Sequence, residues 1–99
     1  AGYRIGPVPI EDCLMRHPAV SIAAVVGKVD EKRTEIIKAF VVLNFGWIKS
    51  NDLIDELKTF VKINLAAHEY PREVRFVTSL PMTNTGKIMR RELRKLGKS

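Results

Sequence analysis

The first apolar pattern along the chain is that of a short amphipathic helix. Within GPVPIEDCLMRHP, residues 6–18, the side chains of Ile10, Cys13 and Leu14 fall on one face at helical spacing. The glycine and proline at its start and the proline at its end are typical helix boundaries. Glu11 lies early in the segment, where the positive end of the helix dipole favours a carboxylate. We therefore predict a short helix with one buried face.

Two apolar runs rich in valine and isoleucine follow. They are AVSIAAVVG, residues 19–27, and EIIKAFVVL, residues 35–43, with the polar segment KVDEKRT between them. Such runs favour strands in the buried centre of a sheet, and the polar segment favours a turn. Apolar and charged residues then alternate in EVRFV, residues 73–77. This alternation predicts a third strand at the edge of the sheet.

Helical spacing returns after Ser50. Apolar residues separated by charged ones recur there at Leu53, Leu57, Phe60, Val61 and Leu65. The spacing predicts a helix of roughly three to four turns.

The end of the chain has the pattern of a second, shorter amphipathic helix. Its apolar positions are Met89, Leu93 and Leu96. The other face is basic, and we expect it to be solvated; it carries Arg90, Arg91, Arg94 and Lys95. The order helix, two strands, helix, strand, helix predicts an α+β fold, in which helices pack on a small, mainly three-stranded sheet.

Composition limits the class of protein further. The 99 residues are 45% hydrophobic and 28% charged, which is enough for one compact domain over 1–99. The single cysteine, Cys13, cannot form an internal disulfide, and this favours an intracellular, reducing compartment. No apolar run approaches the roughly 20 residues that a membrane-spanning helix needs. The chain opens with AGYRIGP instead of methionine, so we expect a fragment of a longer protein.

The net charge of +6 favours anionic partners. After Pro71 the chain has eight basic and only two acidic residues. A small basic module that binds nucleic acid is therefore one hypothesis. However, neither the aromatic motif of an RRM nor the GXXG loop of a KH domain occurs in the sequence, and charge alone does not separate nucleic acid from a phosphorylated cofactor.

A lone lysine stands in TNTGKIMRREL, residues 83–93. Polar turn-forming residues precede it between an apolar strand and an apolar helix, so we expect Lys87 to be exposed on a loop. The segment is not a P-loop, because Pro81 and Ile88 stand where that motif requires a glycine and a serine or threonine. An ammonium on a long stem can meet a phosphate and stabilise charge that develops in a transition state. Taken by itself, the pattern favours a solvated surface lysine.

Several segments follow one another as they do in one known family. They are GYRIGP, HPAV and AAVVG, IIKAFVVL, EYPREVRFV and LPMTNTGKIMRREL, and together they cover essentially the whole chain. In these segments the chain resembles the small C-terminal domain of the adenylate-forming acyl-CoA synthetases, most closely the medium-chain branch. The resemblance implies a mobile lid on a large N-terminal domain, absent here, that binds ATP and a carboxylic acid. It further implies an acid–thiol ligase of two steps, formation of an acyl-adenylate and transfer of the acyl group to coenzyme A.

The resemblance also implies roles for individual residues. Lys87 matches the catalytic lysine, which contacts the substrate carboxylate and the α-phosphate side of ATP, and Arg4 would lie near the same substrates. The implied contacts with coenzyme A are Gly2, Tyr3, Arg33, Lys62, Tyr70, Pro71 and Arg72. Mg²⁺ is expected in the full enzyme without ligands from this domain. A lysine acetyltransferase that modified Lys87 would cancel the charge that adenylation needs. The compartment would be the cytoplasm of a prokaryote or the mitochondrial matrix of a eukaryote.

The chain departs from the family pattern at several positions. They are Ala1, Pro9, Thr34, Ala67, Glu69 and Met82. Glu69 replaces a common lysine beside the implied coenzyme A contacts, and we expect this change to weaken binding there. The lid of a carrier-protein-loading adenylation domain or of an aryl-CoA ligase is a related hypothesis that keeps Lys87 and changes the substrates. His17 and His68 have no partner pattern of a metal or nucleophilic site, and we expect both to be structural.

Overall fold

Helices and strands follow one another along the chain in the predicted order. The structure is a computed structural model and describes residues 6–29, 31, 35–65 and 67–97. Its elements are helix α1 (Pro7–Met15), strand β1 (Val20–Val29), strand β2 (Glu35–Leu43), helix α2 (Asn51–Asn64), strand β3 (Glu73–Phe76) and helix α3 (Arg90–Gly97). The order confirms the predicted α+β fold of helices on a three-stranded sheet.

The sheet has the strand order β1-β2-β3, so β2 is central. β1 and β2 run antiparallel, with Val25 opposite Ala39, whereas β2 and β3 run parallel, with Ala39 opposite Val74. A parallel neighbour needs a crossover connection, and the segment that contains α2 provides it. β3 is thus the edge strand that the alternation in residues 73–77 predicted.

Helices cover both faces of the sheet. On one face α1 and α2 pack against the strands, and Leu14, Leu57 and Val41 are fully buried there. On the other face Leu93 of α3 is fully buried in a second cluster with Phe40 of β2. Because both faces are buried, β1 and β2 need apolar side chains at successive positions, which is the continuous pattern that their sequences have.

The side chains of Ser50 and His17 form hydrogen bonds at the start of α2 and just after α1. The hydroxyl oxygen of Ser50 accepts a hydrogen bond from the Leu53 backbone N–H at 3.0 Å and caps α2. His17 is buried just after α1, and its Nδ1 accepts from the Ala19 N–H at 3.0 Å. Its Nε2 is therefore the nitrogen that donates to the Glu56 carboxylate on α2. These contacts give His17 the structural role that we predicted.

The last helix differs from its prediction at one position. α3 begins at Arg90, with Leu93 fully buried and with Met89 and Leu96 partly exposed at 39% and 42%. The Arg90 side chain is 30% exposed and pairs with the buried carboxylate of Glu11. The prediction that Arg90 belongs to a solvated basic face is therefore wrong, although the other three basic residues of that face are exposed. The spacing within α3 could not reveal this contact, because its partner Glu11 lies on α1.

A pair of substitutions on α2 tests this arrangement of the core. Leu57 is fully buried, whereas Ile63 on the same helix is 76% exposed. We expect Leu57→Ala to lower the free energy of unfolding by about 3 kcal/mol, because it removes buried methyl groups and leaves a cavity. Ile63→Ala should change it by less than about 0.5 kcal/mol. Urea unfolding of both variants measures the difference, and equal losses would contradict the packing of α2 described here.

Candidate active-site hairpin and anion site

Lys87 lies in a short hairpin between β3 and α3. Met82 and Ile88 form an antiparallel bridge in this hairpin. The backbone N–H of Met89 donates to the carbonyl oxygen of Pro81 at 2.9 Å and closes the base of the hairpin. Ile88 is half-buried against the apolar cluster between the sheet and α3, so the hairpin is attached to that face.

The tip of the hairpin is a tight loop over residues 83–87. The Thr83 N–H donates to the Lys87 carbonyl oxygen at 2.8 Å, and the Gly86 N–H donates to the Thr83 carbonyl oxygen at 2.9 Å. Gly86 has φ +85, so the loop is a hydrogen-bonded β-turn that ends on a left-handed residue. The Thr83 hydroxyl oxygen accepts from the Lys87 N–H at 3.1 Å and lies 3.0 Å from the Thr85 hydroxyl. Both backbone groups of Lys87 are therefore held.

The side chain of Lys87 is free although its backbone is held. Lys87 is exposed, and its ammonium has no hydrogen bond or ion pair with another described residue. Lys38, by contrast, is buried and lies 3.6 Å from the Glu73 carboxylate, which Lys28 also contacts at 3.1 Å. The predicted exposure of Lys87 on a loop is confirmed. A fixed stem with an unpaired charge is an arrangement that can deliver the ammonium to an anion outside this domain.

A second group of predicted site residues meets around one aromatic ring. The guanidinium carbon of Arg72 lies 3.8 Å from the centroid of the Tyr70 ring, and the Lys62 ammonium lies 4.3 Å from it. Cation–π attraction places both charges at the same ring. Arg72 and Lys62 are exposed, and neither forms an ion pair with another described residue. Two cations at one ring, without a carboxylate partner among the described residues, are candidate contacts for phosphate groups.

The other predicted site residues are either buried or outside the described residues. Pro71 is fully buried, so its ring offers no surface to a ligand in this structure. It joins Tyr70 to Arg72, whose backbone N–H donates to the Ile37 carbonyl oxygen of β2 at 2.9 Å. The predicted contacts at Gly2, Tyr3, Arg4 and Arg33 lie outside the described residues, as do Ala1 and Thr34.

The structure does not bring Lys87 and the Tyr70 ring into one site. Tyr70 packs against the apolar cluster on the α1 and α2 face of the sheet. Ile88, next to Lys87, packs against the cluster on the α3 face. The two candidate sites are therefore attached to opposite faces of the same sheet.

Within residues 6–29, 31, 35–65 and 67–97, no three His, Cys, Asp or Glu side chains come together as ligands for a metal ion. The expectation that Mg²⁺ has no ligands in this domain stays a prediction. His68 is exposed. Helices in the same part of the chain lack the combined length and apolar character of a membrane span.

The ion pair between Glu11 and Arg90 was not predicted from the sequence. Glu11 is 4% exposed, and its carboxylate meets Arg90, three residues after Lys87. A signal was present, because residues three apart on a helix are neighbours and Leu14 belongs to the apolar face. A carboxylate beside a core leucine indicates a buried charge, which requires a partner.

Comparison with known proteins agrees with the predicted family and fold. Residues 9–87 match the family described as AMP-binding enzyme C-terminal domain, and the chain belongs to this family. The family match confirms the resemblance on which the site residues were chosen.

The individual relatives with high sequence identity to this chain include several synthetases of acyl-coenzyme A. Acetyl-coenzyme A synthetase of Bacillus subtilis (strain 168) is 50% identical over 94 residues, which are 95% of this chain and 16% of that protein. Acyl-coenzyme A synthetase ACSM1, mitochondrial, of Mus musculus is 51% identical over 96 residues, which are 95% of this chain and 17% of that protein. The crystal structure of Brucella canis acyl-CoA synthetase is similar with a TM-score of 0.91 and 54% identity, covering 96% of this chain and 18% of that one. The chain thus spans about one sixth of the length of these curated relatives.

Substitution of a hairpin glycine tests the conformation that presents Lys87. A Cβ at Gly86 or at Gly6 would meet no atom within 4 Å, but only Gly86 has a left-handed φ, at +85. We expect Gly86→Ala to destabilise the loop by about 1 kcal/mol, because a side chain is unfavourable in that conformation. In the Gly86→Ala variant, amide hydrogen exchange should become faster at the N–H of Thr83 and at the N–H of position 86. Gly6→Ala is the matched control, and faster exchange at Thr83 in both variants would contradict the turn assignment.

Proposed function

We propose that this chain is the mobile lid of an acyl-CoA synthetase, an AMP-forming acid–thiol ligase. In the first step a carboxylate oxygen attacks the α-phosphorus of ATP, the acyl-adenylate forms and pyrophosphate leaves. In the second step the thiol of coenzyme A attacks the acyl carbon, the thioester forms and AMP leaves. The observation that carries the proposal is the exposed, unpaired Lys87 on a hairpin whose backbone is fixed. The chain alone is expected to be inactive, since a separate N-terminal domain would bind ATP and the acid.

Lys87 would act in the first step. Negative charge on the α-phosphate and the attacking carboxylate must be neutralised as they approach, and a positioned ammonium lowers the energy of that transition state. The bonds between Thr83 and Lys87 support this role, because they hold the stem while the long side chain extends. Arg4 is proposed to lie near the same substrates, on the resemblance alone.

The cation pair at Tyr70 would act in the second step. Coenzyme A carries phosphates on its nucleotide end, and Lys62 and Arg72 offer two unpaired charges at one ring. Gly2, Tyr3 and Arg33 are proposed as further contacts, and Glu69 as the substitution that weakens them. Since Lys87 and Tyr70 are attached to opposite faces of the sheet, one orientation of the lid would not present both to the same ligand. This placement favours a lid that rotates between the two steps.

The acid is proposed to be a fatty acid, from the resemblance to the medium-chain branch. Relatives whose names specify acetyl and more general acyl substrates have lids of equal similarity to this one, at 50% and 51% identity. The pocket for the acid would therefore lie in the N-terminal domain, as would any Mg²⁺ ligands. An aryl-CoA ligase or a carrier-protein-loading enzyme is the alternative within the superfamily, and assay of thioester formation with different acids and thiols separates them.

Nucleic acid is the less favoured partner. Several basic residues of the C-terminal region are already engaged inside the domain. Arg90 pairs with Glu11, and Arg75 donates to the Leu96 carbonyl oxygen at 3.2 Å. These contacts leave fewer free cations for a phosphate backbone than the eight basic residues of that region imply. Salt-dependent binding to RNA of random sequence would favour this alternative.

Acetylation of Lys87 is proposed as a form of regulation. The exposed ammonium is accessible to a lysine acetyltransferase, and an acetyl group would remove its charge. Full-length enzyme acetylated at Lys87 is expected to lose pyrophosphate release. Adenylate formation at an undiminished rate in the acetylated enzyme would refute this form of regulation.

Substitution of Lys87 in the full-length enzyme tests the first step. We expect Lys87→Ala to slow pyrophosphate release by about 100-fold, because one positioned donor to the transition state is lost. Thioester formation from presynthesised acyl-adenylate should be nearly unchanged. Lys95→Ala is a matched control, since Lys95 is 68% exposed and its ion pair with Glu92 lies on the surface. Equal loss of both half-reactions in Lys87→Ala would count against the proposed division of the two steps.

Substitution at the Tyr70 ring tests the second step. The double variant Lys62→Ala, Arg72→Ala should raise the KM for coenzyme A by about tenfold or more, because two charge-assisted contacts are lost. Pyrophosphate release without coenzyme A should stay at the rate of the unmodified enzyme. Arg91→Ala, which removes an exposed cation elsewhere, is the control. An unchanged KM in the double variant would remove these residues from the proposed site.

A further inference from the structure

The carboxylate of Glu11 joins three elements of the fold. It is 4% exposed, and its Oε2 accepts from the Val25 backbone N–H at 2.9 Å. The Nη2 of Arg90 donates to both carboxylate oxygens, at 2.7 Å and 2.8 Å. Since Glu11 lies on α1, Val25 on β1 and Arg90 at the start of α3, this one group defines how the three elements meet.

Packing alone does not account for a charge at this place. A buried carboxylate is unfavourable unless donors surround it, and a well-packed apolar pair of similar volume is often at least as stable. The ion pair defines the relative orientation of α1 and α3, because hydrogen bonds require a defined geometry whereas apolar contacts do not. The guanidinium is also only partly satisfied, since the buried Nε of Arg90 has no hydrogen-bond partner among the described residues. The arrangement is therefore specific without being optimal for stability.

A short, hydrogen-bonded backbone segment connects Lys87 to Arg90, so the orientation of Arg90 also affects the orientation of Lys87. Arg90 follows Lys87 by three residues. Between them, the Met89 N–H closes the base of the hairpin on Pro81, and the Met89 carbonyl oxygen accepts from the Glu92 N–H at 3.0 Å in the first turn of α3. The segment thus has little freedom to rotate independently of Arg90.

We propose that Glu11 and Arg90 are positioning residues for adenylation. The pair orients the start of α3, and with it the hairpin, so that the Lys87 ammonium reaches the reacting groups. Neither residue touches the substrates, and both act through Lys87. The inference rests on the proposed function of Lys87 and adds two residues to it, one of which lies 76 positions away in the sequence.

The test uses the full-length enzyme and two conservative variants. Glu11→Gln keeps the volume and removes the charge, whereas Arg90→Lys keeps the charge and removes the planar geometry. Each should lower the kcat of pyrophosphate release by about tenfold or more, with the KM for ATP and acid nearly unchanged, because a small misplacement of a catalytic group is costly. Thioester formation from presynthesised acyl-adenylate should stay within about twofold. Arg91→Lys, on the exposed side of the same helix turn, is the control and should change neither rate.

A double variant separates positioning from general support of the fold. If Arg90 acts through Lys87, adding Arg90→Lys to Lys87→Ala should cause no further loss of pyrophosphate release. Multiplied losses in the double variant, or a parallel loss of thioester formation in Glu11→Gln and Arg90→Lys, would overturn the proposal. Wild-type pyrophosphate release in both single variants would also overturn it while leaving the role of Lys87 intact. The proposed function itself fails only if Lys87→Ala retains normal pyrophosphate release.

Discussion

A carboxylate buried between three elements is the constraint on which the arrangement of this domain depends. Glu11 of α1 accepts a hydrogen bond from the Val25 N–H of β1 and binds the guanidinium of Arg90 at the start of α3. Apolar burial of Leu93 attaches α3 to the sheet, but hydrophobic attraction is non-directional and leaves the orientation of the helix open. The ion pair is directional, and leaving a buried charge without its donor is costly. The first helix of the chain therefore orients the last.

The cations that form ion pairs within the domain are separate from the exposed cations of the two candidate sites. Lys28 and Lys38 share the Glu73 carboxylate, although only Lys38 is buried. Lys87 is exposed on a hairpin attached to the α3 face, without a partner among the described residues. On the opposite face, Lys62 and Arg72 lie at the Tyr70 ring, and neither forms an ion pair with another described residue. A sheet with separate exposed cations on its two sides fits the proposed lid, which would present one side and then the other.

Much of this arrangement could be predicted from short segments of the sequence. The 3.6-residue spacing of Leu53, Leu57 and Val61 predicts α2, and Ser50 is its cap as well as its predicted start. The loop was predicted to be exposed, but its rigidity was not, because that depends on Thr83 bonding the Lys87 backbone across the turn. The basic face of α3 was predicted to be wholly solvated, and Arg90 is the exception. Periodicity places a side chain on a face of its own helix and does not reveal which residue of another element faces it.

The sequence by itself determined the elements, their order, the α+β class, the family and the identity of the exposed lysine, because these follow from short-range spacing, turn chemistry and a motif that is contiguous in the chain. Only the tertiary structure decided that Arg90 is bound to Glu11, that Lys62 and Arg72 share the ring of Tyr70, and that these cations and Lys87 are attached to opposite faces of the sheet. The physical reason is that these contacts join residues distant in the sequence, and their geometry is set by the packing of both faces of the sheet at once.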